Sequence, residues 1–298
     1  MLDGEVIQKS LFPDAVEVLG DALAALEDLD LPRGFEFVVQ ARRIDPSLGN
    51  LDAIESALDW LRTTLGDGPA DLERAAAAFL DLPGAGLSSG AVSFADSALA
   101  RYGLRHASGA FLDAGERVHV GALRLVLGHA TLARRALDLA SEEPRADLWG
   151  WRADACVRLE RLEEANECYV RALILDASAV DLFRLRHPRL TELYVELLAT
   201  LPASCARELL LPNAWMRGLL HIPAGNAWLT GHVARLRART AVTADAAKAE
   251  QLRRFTFLFY LDRSHPPGAV SLDEREEMAG LAPTLFRRVL AVLRERES

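Results

Sequence analysis

Three pairs of small residues fix most of what this chain can fold into. Gly121, Ala133 and Ala140 are matched by Ala153, Ala165 and Ala172, each 32 residues later. In the second set, Trp149, Ala153 and Cys156 are spaced four and three apart, so they share one face of a helix. Ala165, Tyr169 and Ala172 do the same on the helix that follows. Small side chains at Ala153 and Ala165 let two helices approach closely, and Trp149 and Tyr169 fill the volume beside them. The pattern predicts an antiparallel hairpin, with helices from about Ala146 to Leu159 and from about Leu162 to Leu175. The stretch from Gly115 to Glu143, with Gly128 as a further small residue, carries the same frame.

The rest of the chain is also helical in pattern. Strand-like alternation is nearly absent. Asp14 and Glu17 open a helix after Pro13, where their charge suits the helix dipole. Asn50 is placed as an N-cap for a helix that puts Ile54, Leu58 and Leu61 on one face, with Gly66 as its left-handed end. Residues 33–44, "RGFEFVVQARRI", fit a short helix or a strand. A helix in residues 203–211 is expected to stop before Pro212. Asp262 to Gly268 reads as a loop, because Pro266, Pro267 and Gly268 resist helix. Ser271 and Glu274 have the capping-box spacing, and Pro283 breaks or restarts the last segment.

Composition narrows the class. Half of the 298 residues are hydrophobic, enough for one large core or several smaller ones. No apolar run approaches the roughly 20 residues that span a bilayer. The N-terminus has no basic start followed by an apolar block, so no secretory signal is expected. Three cysteines, Cys156, Cys168 and Cys205, lack paired spacing, which argues against a disulfide framework or a zinc site and for a reducing cytoplasm. A formal net charge of -9 disfavours nonspecific nucleic-acid binding. Lys9 and Lys248 are the only lysines, and the Ala-, Leu- and Arg-rich usage is that of a GC-rich, bacterial type of coding sequence.

Trp149, Ala153, Ala165, Tyr169 and Ala172 fall where the tetratricopeptide repeat places its signature residues, so residues 114–177 resemble that family of helix-turn-helix units. Three positions depart from it. Arg152 replaces a usual leucine, Glu160 a usual turn glycine and Ala177 a usual terminal proline. After Ala177 the frame decays, with Pro188 inside the first helix of any third unit. The resemblance implies an all-α fold of antiparallel hairpins stacked as a right-handed array. Three segments are expected: an N-terminal helical part over 1–108, a repeat core over 109–200 and a C-terminal helical part over 201–298.

In such an array the first helices line a concave face. The resemblance assigns Val118, Ala122, Leu125, Asp154, Val157 and Arg158 to it. That face is largely apolar, with one acid and one base near its end, and suits an amphipathic or apolar protein or peptide segment. It lacks the lysines and asparagines of the family's carboxylate clamp. The expectation is a non-enzymatic adaptor or accessory protein that needs no cofactor.

Other chemistry is weaker in the sequence. Gly86 to Gly90 matches G-x-S-x-G with Ser88 as a would-be nucleophile, but no strand precedes it, as a hydrolase elbow requires. The seven histidines form no close metal-ligand pattern, so no metal site is expected. Cys156 and Cys168 sit at core-facing positions. The first thirty residues are acidic, whereas Arg235 to Arg254 is basic. The two stretches can attract within one chain or between two copies, and the basic one can touch an acidic partner or nucleic acid. Residues 255–260, "FTFLFY", read as core. A serine hydrolase using Ser88 and a nucleic-acid-associated regulator using Arg235 to Arg254 are the alternatives.

Overall fold

The computed structural model describes residues 14–66, 71–140, 145–223, 231–242, 246–265 and 271–297. Among these residues every regular element is a helix, and the one β-type pairing is an isolated antiparallel bridge between Phe111 and His119. No described helix is long and apolar enough to cross a membrane. The chain divides into two compact units, Met1–Ala133 and Arg134–Ser298.

The first unit holds α1 (Ala15–Glu27), α2 (Leu31–Ile44), α3 (Leu51–Leu65), α4 (Leu72–Asp81), α5 (Ser89–His106) and α6 (Val120–Val126), and α7 (Ala130–Leu139) begins in it. Asp14 caps α1 by accepting from the Glu17 N–H at 2.8 Å. Pro13 lies outside the described residues. The ambiguous residues 33–44 are helical and form most of α2. Pro32 sits in its first turn, where a missing N–H leaves no bond unmade. Tertiary packing overrides β propensity here: α2 lies along α1 and buries Gly34, Val38 and Ala41.

Ile54, Leu58 and Leu61 line the buried face of α3 as expected, and Gly66 ends it with φ of 78°. Asn50 differs from expectation. It precedes α3 with φ of 71° and makes no side-chain cap bond, because that backbone turns its amide away from the helix N–H groups. The helix expected from Glu116 starts only at Val120. Val118 lies before it, with its carbonyl accepting from Leu112 N in the loop closed by the Phe111–His119 bridge.

The second unit holds α8 (Ala146–Arg158), α9 (Leu162–Asp176), α10 (Pro188–Leu198), α11 (Ala203–Met216), α12 (Val233–Arg239), α13 (Lys248–Ser264), α14 (Leu272–Leu281) and α15 (Pro283–Glu297). The α8–α9 pair packs along its length, α10 packs on α11, and α13 lies against α11 and α14. Phe255, Thr256, Phe257, Leu258, Phe259 and Tyr260 are all buried, so α13 is apolar all round and central, as a helix covered on several sides must be.

Two expected breaks are absent. Helix α11 runs through Pro212 to Met216. Proline cannot donate to the carbonyl four residues back, that of Glu208, and Thr256 Oγ1 donates to that oxygen instead at 2.6 Å. The loop expected from Asp262 starts later, because α13 continues to Ser264, where the Ser264 hydroxyl donates to the Tyr260 carbonyl at 2.7 Å. The Pro266, Pro267 and Gly268 positions fall outside the described residues. Ser271 caps α14, accepting from Glu274 N at 3.4 Å. Glu274 itself pairs with Arg237 at 3.2 Å.

Three helical connections share one bonding pattern. At the end of α8, Glu160 N donates to Val157 O and Arg161 N to Cys156 O. At the end of α6, 32 residues earlier, Gly128 N donates to Leu125 O and His129 N to Arg124 O. At the end of α1, Leu29 N donates to Leu26 O and Asp30 N to Ala25 O. Each is a Schellman closure, in which one left-handed residue lets two N–H groups return to the last helical turn. Glu160, Gly128 and Leu29 supply that residue, with φ of 59°, 84° and 55°. The small residues keep register with the turn. Ala22, Gly34 and Ala41 of α1 and α2 have the spacing of Ala153, Ala165 and Ala172, and all six are buried.

Candidate functional site

The six residues assigned to a concave face do not behave alike. Val118, Ala122 and Leu125 belong to the first unit and Asp154, Val157 and Arg158 to the second. Val118, Ala122, Leu125 and Asp154 are 2%, 0%, 1% and 3% exposed, so a partner meets no side-chain surface at any of the four. Each is a core residue, which corrects its assignment to an open face. Val157 is half-buried and Arg158 is exposed, and these two keep contact surface.

Asp154 organises the second unit around it. Its Oδ1 accepts from the Tyr169 hydroxyl at 2.5 Å and from the Arg186 N–H at 2.8 Å. One carboxyl therefore joins α8, α9 and the segment leading into α10. Burial pushes the Asp154 pKa up to about 7, against the hydrogen bonds from Tyr169 and Arg186 that favour the charged form. Arg158 stands near the same carboxyl. Its pKa is lowered by burial and then by the Arg186 guanidinium. Among the described residues, no salt bridge engages either arginine.

A cleft of about 280 Å³ opens close by, lined by Leu162, Glu163, Asn166, His187, Leu219, Leu220 and His221. Asn166 fixes one wall, donating to the His221 carbonyl at 2.9 Å and accepting from its N–H at 2.8 Å. On the other side His187 packs edge-on against Tyr169, with ring centroids 5.9 Å apart. His187 Nδ1 caps α10 by accepting from Leu190 N at 3.3 Å, a geometry that assigns the ring proton to Nε2. Burial lowers the His187 pKa, so the ring is neutral at pH 7. Arg186, His187 and Asn166 join Val157 and Arg158 here without a sequence signal linking them. Only Pro188, marking a helix start just after His187, pointed to the segment.

The remaining candidates resolve into structure. Ser88 is the N-cap of α5, its Oγ accepting from Ala91 N at 3.3 Å, and the element before it is the 3-10 turn Leu82–Gly84 rather than a strand. The basic stretch is met by carboxylates within the second unit: Arg237 by Glu274, Arg239 by Asp176, Arg253 by Glu208 and Arg254 by Glu277. The acidic N-terminal helix has its own partners in the first unit, with Arg101 on Glu27 and Arg105 on Asp28. Cys156 and Cys168 are buried on facing helices. Among the described residues, no group of three or more His, Cys, Asp or Glu side chains is arranged to hold a metal ion.

Comparison of the chain with protein-family models, with curated proteins and with solved structures gives no match in any of the three.

Proposed function

We propose that the chain is a non-enzymatic adaptor that binds a partner protein or peptide through hairpins of the tetratricopeptide type, stacked as a right-handed array. The observation that carries this reading is the closing turn repeated at Leu29, Gly128 and Glu160, in constant register with small residues on the paired helices. A hairpin with one edge left for a neighbour is the unit from which repeat arrays are built, and such arrays hold partners by surface shape rather than by chemistry in a pocket.

The contact surface of this reading is the end of α8 and the adjoining cleft. Arg158 and Arg186 give it unpaired positive charge, and Leu162, Leu219 and Leu220 give it apolar wall. That chemistry fits a peptide carrying an apolar side chain next to a carboxylate. The test is affinity capture from the native host with the wild-type chain and with Val157→Glu/Arg158→Glu. These positions keep solvent contact, so the change leaves the core intact. The expected result is a protein held by the wild type and lost by the variant at equal helicity. Equal recovery by both would overturn the assignment of this surface.

A further inference from the structure

Cys156 on α8 and Cys168 on α9 are free thiols facing each other inside the hairpin. The two side chains are hydrogen-bonded, with the Cys168 thiol as donor to the Cys156 sulfur. Thiols sealed in hydrocarbon are inert, whereas thiols beside cations are reactive. Cys156 is of the second kind: Arg134 Nη1 lies 3.1 Å from its Sγ. The same guanidinium binds Asp138 and Glu164, each at 2.8 Å, and Arg152 reaches Asp138 at 3.1 Å. On this side the cover over Cys156 is an ionic cluster. The Arg134 and Glu164 side chains are 12% and 48% exposed, so water and small solutes reach its edge.

The electrostatics of the two sulfurs are opposite. The Cys168 hydrogen bond holds the Cys156 pKa below the usual thiol value, with help from Arg134 and Arg152 against burial. The same contact and burial push the Cys168 pKa up. One sulfur is prepared as a thiolate and its neighbour is kept protonated, which is the division of labour between an attacking and a resolving thiol.

We propose that Cys156 and Cys168 form a redox modification site that takes a small hydroperoxide. The Cys156 thiolate attacks the outer peroxide oxygen and breaks the O–O bond. The leaving oxygen takes a proton and departs as water or an alcohol, and Cys156 becomes a sulfenic acid. The Cys168 sulfur then attacks the Cys156 sulfur, and the displaced hydroxide leaves as water with the Cys168 proton. Two thiols lose two electrons and the peroxide gains them. The product is a disulfide between α8 and α9, and Arg134 loses the sulfur it had bound.

The test titrates the full chain with hydrogen peroxide, then alkylates it in denaturant and reads intact mass. The expected result is loss of two hydrogens, one thiol left to alkylate (that of Cys205), and full reversal by dithiothreitol. Cys168→Ser should leave a sulfenic acid on Cys156 that a dimedone reagent traps, and Cys156→Ser should give neither product. Arg134→Met should slow the reaction by about tenfold, the effect of raising a thiol pKa by about one unit. Circular dichroism checks that each variant keeps its helicity. Three alkylatable thiols after a dose that oxidises the denatured chain would overturn the proposal. So would a disulfide that involves Cys205 or joins two chains, or an Arg134→Met variant that reacts at the wild-type rate.

Discussion

Glu160 holds the left-handed backbone that Gly128 holds 32 residues earlier, with φ of 59° against 84°. An L side chain in that region costs roughly 1–2 kcal/mol, and glycine avoids the cost. Glu160 is exposed, so its side chain contributes little packing to offset it. Glu160→Gly is therefore expected to raise unfolding stability by about 1 kcal/mol, and Gly128→Ala to lower it by a similar amount. Urea midpoints of the two variants check this. A loss of stability in Glu160→Gly would show that the turn is held by something other than its backbone geometry.

Helix α11 tolerates Pro212 because Thr256 serves the carbonyl that proline abandons. Thr256 is 3% exposed, so no bulk solvent can replace its hydroxyl. Thr256→Val keeps the shape and orphans the Glu208 oxygen, which should cost about 1–3 kcal/mol. Thr63, whose hydroxyl donates to the Asp59 carbonyl on an exposed helix face, supplies the control. Thr63→Val should stay within about 0.5 kcal/mol of the wild type. Equal losses at both sites in denaturant titrations would rule out the proposed role of Thr256.

The same pairing explains which parts of the fold were legible in the sequence. Trp149, Ala153, Ala165, Tyr169 and Ala172 carry a complete frame, and the helices they predict are observed within a residue at each end. The α1–α2 hairpin carries the frame too, as Val18, Ala22, Gly34, Val38 and Ala41, but has no tryptophan or tyrosine to announce it. Its spacing of small residues was the available signal, and the aromatic and β-branched content of α2 masked it. Pro212 and the run into Ser264 read as breaks because their compensating bonds come from distant or neighbouring hydroxyls that no local pattern reveals. The site was less legible still. Arg158 was visible, but its neighbour Arg186 and the Asn166–His221 clamp arise from contacts 28 and 55 residues apart in sequence.

Two glycines of the α1–α2 hairpin separate propensity from packing. A Cβ on Gly20 would meet nothing within 4 Å, whereas one on Gly34 would lie 2.8 Å from Leu58 Cδ2. Gly20→Ala is expected to stabilise the chain by about 0.5–1 kcal/mol through helix propensity alone. Gly34→Ala should destabilise it by about 1–3 kcal/mol, because Leu58 is fully buried and must leave its rotamer. Thermal melts of the two variants should shift in opposite directions. A shift of the same sign in both would mean that α2 and α3 do not approach as closely as Gly34 allows.

Asp154 makes stability depend on pH in an unusual direction. Its folded pKa of about 7 stands above the unfolded carboxylate value of about 3.9. Between those values the folded chain binds the proton and the unfolded chain does not. The contribution of Asp154 is therefore fully present below the unfolded pKa and is lost as pH rises through about 7. The full span is on the order of 4 kcal/mol, an upper bound for a carboxyl that two donors also stabilise when charged. Asp154→Asn keeps an oxygen for Tyr169 and the Arg186 N–H and has no proton to lose. The difference in unfolding free energy between Asp154→Asn and the wild type should thus grow in favour of the variant from pH 4 to pH 7, then level off. A difference that stays constant across that range would place the Asp154 pKa at its ordinary value, with the carboxyl charged in the folded chain.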